Sequence, residues 1–175
     1  MERTLEGRRV CILAEDQFED IELLYPLHRF AEEGASVLVA GPEKRRYTGK
    51  HGCPVEADMA AAEAAAQEFD IVVVPGGYAP DRMRRYRDML EIVRRADAAG
   101  KVVAAICHAP WVLISARVIR GRRVTGFWSI RDDLINAGAD YQDNPVVTDG
   151  NLVTSRHPPD LGSFCRAVID LAAGR

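Results

Sequence analysis

Lys101-Val-Val-Ala-Ala-Ile-Cys-His-Ala-Pro-Trp111 carries two kinds of structure in one short stretch. Its first half is a continuous apolar run, as a strand covered on both faces requires. Its second half opens a helix, with Pro110 suited to a first turn where the missing N–H costs nothing. Cys107 stands at the turn between them, the context of a nucleophile elbow. Such a turn lifts the side chain out of the sheet. The positive end of the helix is expected to lower the thiol from about 8.5 toward or below neutrality, so that a thiolate at rest needs no separate base. Free cysteines are usually small buried hydrophobes, but a position at the carboxyl edge of a strand argues for a nucleophile.

Working toward the N-terminus, Gly100 ends a helix predicted over 84–99, and Asp70-Ile-Val-Val-Val-Pro75 is a second buried strand that runs into Gly76-Gly77. An Ala-rich helix is predicted over 59–67, and a turn with a small hairpin over 41–52. Ser36-Val-Leu-Val-Ala40 and Arg9-Val-Cys-Ile-Leu-Ala14 read as strands flanking a helix over 21–33, where Leu23, Leu24, Leu27 and Phe30 recur at helical spacing. Beyond the elbow, helices are predicted over 109–116, 129–137 and 160–173. Val146-Val-Thr148 and Leu152-Val-Thr-Ser155 form a strand pair whose Asp149-Gly-Asn151 connection is a hairpin signal. Strand and helix alternate without repeats or linkers. The expected architecture is α/β, a mainly parallel sheet between two helical layers, in one domain spanning 1–175.

The chain has 175 residues, with 23 Lys and Arg against 26 Asp and Glu mixed along its length, so no basic stripe is available to neutralise phosphates. Nucleic acid is not an expected partner. Met1-Glu-Arg-Thr-Leu-Glu-Gly is too charged for a signal peptide, and no apolar run approaches the roughly 20 residues that span a bilayer. The expectation is a cytoplasmic protein without a membrane partner. Cys11, Cys53, Cys107 and Cys165 lie too far apart for zinc spacing or a disulfide framework. Cys11 in a strand, Cys165 on a helix and Cys53 in a loop are read as structural or incidental.

Two further loops leave the same sheet edge as Cys107. Glu15-Asp-Gln-Phe-Glu-Asp20 brings carboxylates, one of which could reach the sulfur; a carboxyl beside a thiolate is driven toward its protonated form and can then donate. The plainer reading is a solvated acidic loop that caps the following helix. Gly76-Gly77-Tyr-Ala-Pro-Asp81 adds glycines whose exposed amides could form an oxyanion hole, although a lone Gly-Gly is usually only a turn. His157 is left unassigned, and His28 and His51 have weaker claims.

In order, Glu15-Asp-Gln-Phe-Glu-Asp-Ile-Glu-Leu23, Thr48-Gly-Lys-His-Gly52, Pro75-Gly-Gly-Tyr-Ala-Pro-Asp81, Ala105-Ile-Cys-His-Ala-Pro110, Arg131-Asp-Asp-Leu-Ile-Asn-Ala-Gly138 and Val147-Thr-Asp-Gly-Asn-Leu-Val-Thr-Ser-Arg156 resemble the PfpI-like intracellular protease family with its glyoxalase and deglycase relatives, within the class I glutamine amidotransferase-like superfamily. The resemblance implies a flavodoxin-like fold, Cys107 as nucleophile, Glu19 as the carboxyl hydrogen-bonded to it, and His108 as the adjacent histidine. It places Gly76 and Gly77 at the oxyanion site. It also implies that Asp81 reaches a histidine from a neighbouring subunit, and hence a homodimer or higher homo-oligomer. Three positions depart from the family pattern. Ala109 replaces glycine and could narrow the pocket, Asp81 replaces glutamate in several relatives, and Trp111 replaces a polar residue as either core aromatic or pocket wall.

Three functions fit these residues. The first is glyoxalase or deglycase chemistry, in which Cys107 adds to the aldehyde of glyoxal or methylglyoxal, free or as an amine adduct, and Glu19 and His108 move protons until a hydroxy acid is released. The second is an intracellular cysteine peptidase, which needs a leaving-group acid and a groove that this short chain does not obviously build. The third is a redox-sensing holdase. No metal or other cofactor is expected.

Overall fold

The computed structural model describes residues 4–174; the charged start of the chain at Met1 to Arg3 lies outside them. Five parallel strands form the middle of a seven-stranded sheet: β1 (Arg9–Leu13), β2 (Ser36–Gly41), β6 (Ile71–Val74), β7 (Val102–Ile106) and β11 (Leu152–Ser155). They lie in the order β2-β1-β6-β7-β11, the 2-1-3-4-5 winding of a flavodoxin-like sheet. At one edge β10 (Val146–Asp149) runs antiparallel to β11, the hairpin expected from Asp149-Gly-Asn151. Every residue of β6 and β7 is buried, and burying a Val or Ile side chain contributes roughly 1.5–3 kcal/mol. Their unbroken apolar runs follow from cover on both faces. Helix α1 (Asp20–Glu32) packs with α7 (Leu161–Ala172), while across the sheet α4 (Arg87–Ala98) packs with both α2 (Ala61–Ala65) and α5 (Pro110–Ala116).

The structure differs from the sequence expectations where an edge or a proline intervenes. The helix expected over 59–67 is only Ala61–Ala65. Met59–Ala60 forms β5 instead, pairing parallel to Ala40 and Gly41 at the open edge of β2. Alanine's helix propensity yields there to a sheet edge that needs a partner. The segment after Gly77 contains an additional short helix, α3 (Ala79–Met83), with a proline in its first turn, and α4 starts at Arg87 rather than 84. The hairpin within 41–52 is real but displaced: β3 (Arg46–Thr48) pairs with β4 (Pro54–Glu56). A short parallel pair, β8 (Arg123–Val124) with β9 (Asp140–Tyr141), has no clear sequence signal. Helix α6 (Arg131–Asn136) follows a 3-10 turn at Trp128–Ile130. No helix among the described residues is long and apolar enough to cross a membrane.

Candidate active site

The ends of β1, β6 and β7 meet at one edge, and backbone bonds lock their loops together. The loop after β1 bridges Gly77 through Phe18; Glu19 N–H donates to Gly76 O at 3.1 Å and Tyr78 N–H to Gln17 O at 2.9 Å. Gly77 has φ +80, and a Cβ there would fall 2.4 Å from Glu19 N. Only glycine serves at this crossing.

Cys107 follows β7 with φ 63, in the left-handed region, a conformation that costs a non-glycine residue roughly 1–2 kcal/mol. The elbow is pinned on both sides: Cys107 N–H donates to Ser155 O at 3.0 Å, and Cys107 O accepts from Phe127 N–H at 2.8 Å. The strain is thereby held by β11 and by the segment after β8. Cys107 is 7% exposed, and its sulfur lies 3.2 Å from His108 Nδ1. His108 is fixed in turn. Its Nε2 lies 3.2 Å from Ser129 Oγ, its ring stacks on Phe127 at 4.9 Å, and Trp111 meets it edge-on at 5.3 Å.

The carboxyl at the sulfur is Glu22, which corrects the expected Glu19. Glu22 is fully buried and its Oε2 accepts the Gly76 N–H at 2.7 Å. Its Oε1 is buried without a fixed partner, and Cys107 is among the groups within its hydrogen-bonding reach. Glu19 points instead to Lys50 Nζ at 2.6 Å and His51 Nε2 at 3.3 Å. The reason is helical geometry: Glu22 shares a buried stripe of α1 with Pro26 and Phe30, whereas Glu19 precedes the helix. The solvated-cap reading of this loop is corrected as well, since α1 has no side-chain cap. Asp20 accepts from the backbone N–H groups of His51 and Cys53, and Asp16 pairs with Arg45. Glu19, Asp20 and His51 offer ligand atoms within 4.8 Å of one another, but Lys50 already neutralises Glu19 and two amides already hold Asp20. They form a brace for the loop rather than an open cation cage.

The electrostatics depart from the expected lowering by the helix end. Burial, with the charges of Glu22 and Glu19 adding to it, pushes the Cys107 thiol up to about 12, while the N–H groups of Gly77 and His108 oppose the rise. Burial likewise raises the Glu22 carboxyl to about 8, again against the pull of the Gly76 amide. A Glu22 that keeps its proton at neutral pH removes the larger of the two charges acting on the sulfur and supplies an O–H donor. With the two amides, three donors then converge on a thiolate. Burial and Lys50 lower His108, so the neutral imidazole can accept a proton from the thiol.

Of the two glycines expected at the oxyanion site, Gly76 spends its amide on Glu22, and a Cβ there would lie 2.7 Å from Cys107 Cβ. Gly77 directs its amide at the sulfur. Ala109 is fully buried, so its methyl faces the interior rather than narrowing the opening. Trp111 is a wall. With Gln17, Tyr78, Asp81, Arg82 and His108 it lines a cleft of about 400 Å³ in front of the elbow. Asp81 lies on α3 in that cleft without a hydrogen bond to His108 in the same chain; Ser129, which sequence reasoning missed, holds that nitrogen. His157 pairs loosely with Asp160 at 3.7 Å. Cys11 and Cys165 are buried in the core, and Cys53 precedes β4.

The sequence profile described as the DJ-1/PfpI family matches residues 8–171. A deglycase of Pyrococcus abyssi is 52% identical over 93% of this chain and 98% of its own length. A supposed cysteine protease of Bacillus subtilis is 42% identical over 94% of this chain and 97% of its own. Among solved structures, a two-domain protein of Anabaena variabilis containing DJ-1/ThiJ/PfpI-like and ferritin-like domains superposes with a TM-score of 0.92 at 45% identity, covering 94% of this chain and 48% of that one.

Proposed function

Because this chain belongs to the DJ-1/PfpI family, we propose that it is a cysteine-dependent enzyme that converts glyoxal or methylglyoxal, free or as amine adducts, to the hydroxy acid. The observation that carries this reading is the Cys107 sulfur held at a strained elbow 3.2 Å from His108 Nδ1, with the buried Glu22 carboxyl on its other side. The sulfur adds to the aldehyde carbon, and its proton passes through His108 to the carbonyl oxygen, leaving a hemithioacetal and a neutral imidazole. With an amine adduct, the C–S bond forms as the C–N bond breaks; Glu22 protonates the departing amine and regains a proton from His108, which has taken it from the thiol. His108 then moves the proton of the former aldehyde carbon to the neighbouring carbonyl carbon, while the hydroxyl proton of the first carbon passes to the oxygen of the second. The first carbon is thereby oxidised to a thioester and the second reduced to an alcohol. Water cleaves the thioester, releasing lactate or glycolate and restoring the thiol. The chemistry needs no external oxidant, and general acid–base assistance of this kind contributes typically about 10²–10⁴-fold.

In this reading the chain also associates with itself, Asp81 of one copy facing His108 of another. Light scattering tests that point: a fully active monomer contradicts it. The enzymatic claim is tested by following lactate as methylglyoxal disappears, with peptide cleavage assayed alongside. Acid formation that Cys107→Ala abolishes supports the proposal. Reversible dicarbonyl binding without acid favours the holdase, and peptide cleavage without acid favours the peptidase.

A further inference from the structure

Trp111 separates the cleft before Cys107 from a second, open one of about 370 Å³, lined by Arg84, Ile114, Ala137 and the exposed Asp133 and Asn136. Arg84 follows the last residue of α3, and its side chain is fixed at two points. Its Nε donates to Ser115 Oγ at 2.9 Å, and its guanidinium carbon lies 5.9 Å from the centre of the Trp111 ring. That leaves both Nη groups without an acceptor among the described residues. On another wall Asp133 accepts the Trp111 indole N–H at 2.8 Å through one oxygen and makes no ion pair among the described residues. The Asn136 side-chain amide is likewise unspent. A cation and an anion that face one small cleft without pairing, each braced on the same tryptophan, form a complementary pair of charges fixed apart. An ordinary surface arginine gains little from such bracing, because ordering its side chain costs entropy.

We propose that this cleft is a subsite for the α-amino-acid head group of the substrate, with Arg84 receiving the carboxylate and Asp133 the ammonium. A planar guanidinium with two free N–H edges matches a carboxylate bidentately. Trp111, edge-on to His108 on its other side, then becomes the wall over which a long side chain passes to reach Cys107. The substrate class so defined is a dicarbonyl adduct on the side-chain nitrogen of free lysine or arginine, not a residue within a chain, whose α-groups are amides. This inference rests on the deglycase reading for the reaction but not for the binding.

The test compares the methylglyoxal adduct of lysine with that of Nα-acetyl-lysine amide, which has the same reacting end and no head-group charges. The wild type is expected to favour the free adduct in kcat/KM by about tenfold or more, and Arg84→Met to bring the ratio near one. Calorimetric titration with lysine itself, which carries no carbonyl, is expected to show binding to the wild type and to Cys107→Ala but not to Arg84→Met. If neither adduct is turned over yet lysine still binds in this pattern, the deglycase reading fails and the subsite stands. A wild-type ratio near one without lysine binding overturns the subsite. So does an Arg84→Met variant that keeps the ratio while light scattering shows the oligomer dissociating, since the arginine is then a contact between copies.

Discussion

Cys107 and Cys165 are two thiols that burial pushes up to about 12, yet they sit in opposite kinds of surroundings. Cys165 lies on the inner face of α7, 1% exposed among apolar side chains. Cys107 lies at a left-handed elbow with a carboxyl, an imidazole and two amide N–H groups around it. Burial alone makes a thiol inert. What separates the two is whether the proton has somewhere to go and whether donors wait for the charge it leaves.

Replacing each sulfur should expose that difference first and most strongly. Cys107→Ala is expected to abolish lactate formation, whereas Cys165→Ala keeps it and instead lowers Tm, because truncating a packed core position leaves a small cavity. Equal losses of turnover in both would erase the contrast.

The carboxyls sharpen it next. Glu22→Gln is expected to reduce kcat by about 10²-fold or more while retaining the fold, against no more than a few-fold for Glu19→Gln, whose partners are Lys50 and His51. Glu22 also leaves a signature in stability. Its carboxyl is raised by burial from 4.5 to about 8. The native state therefore holds a proton that the unfolded chain has already released, and stability falls as pH rises between those values. Glu22→Gln should flatten that slope in a series of Tm measurements from pH 4 to 9; an unchanged slope would place the proton elsewhere.

A smaller effect is expected at Ser129. Ser129→Ala should lower kcat a few-fold and shift the acid limb of its pH profile, because His108 loses the contact at Nε2, while Ser129→Thr restores both. A uniform loss with an unshifted profile would mark the serine as merely structural.

The parts of this molecule that were legible in the sequence are those in which burial leaves a one-dimensional trace. The unbroken runs at Ile71–Val74 and Val102–Ile106 announce strands covered on both faces, and Cys107 is legible because an apolar run ends on it and Pro110 follows. Glu22 was missed although a signal existed: it falls on the stripe of α1 shared by Pro26 and Phe30, where a carboxylate has no reason to be unless something polar meets it. The family resemblance implies Glu19 instead, a residue that precedes the helix and pairs with Lys50 and His51. Ser129 left no trace, since its approach to His108 depends on how the chain after β8 folds back over the elbow. Met59–Ala60 misled because alanine's preference for helix is weak beside an unpaired sheet edge.

The most direct test of the central claim is the rate of iodoacetamide alkylation at each cysteine as a function of pH, read by peptide mass on the folded protein. Cys107 is expected to react near neutral pH, with Cys11 and Cys165 protected until the protein unfolds, and to slow in Glu22→Gln. A Cys107 that tracks Cys165 across the whole range would show that the elbow holds an inert thiol, and the nucleophile assignment would fall with it.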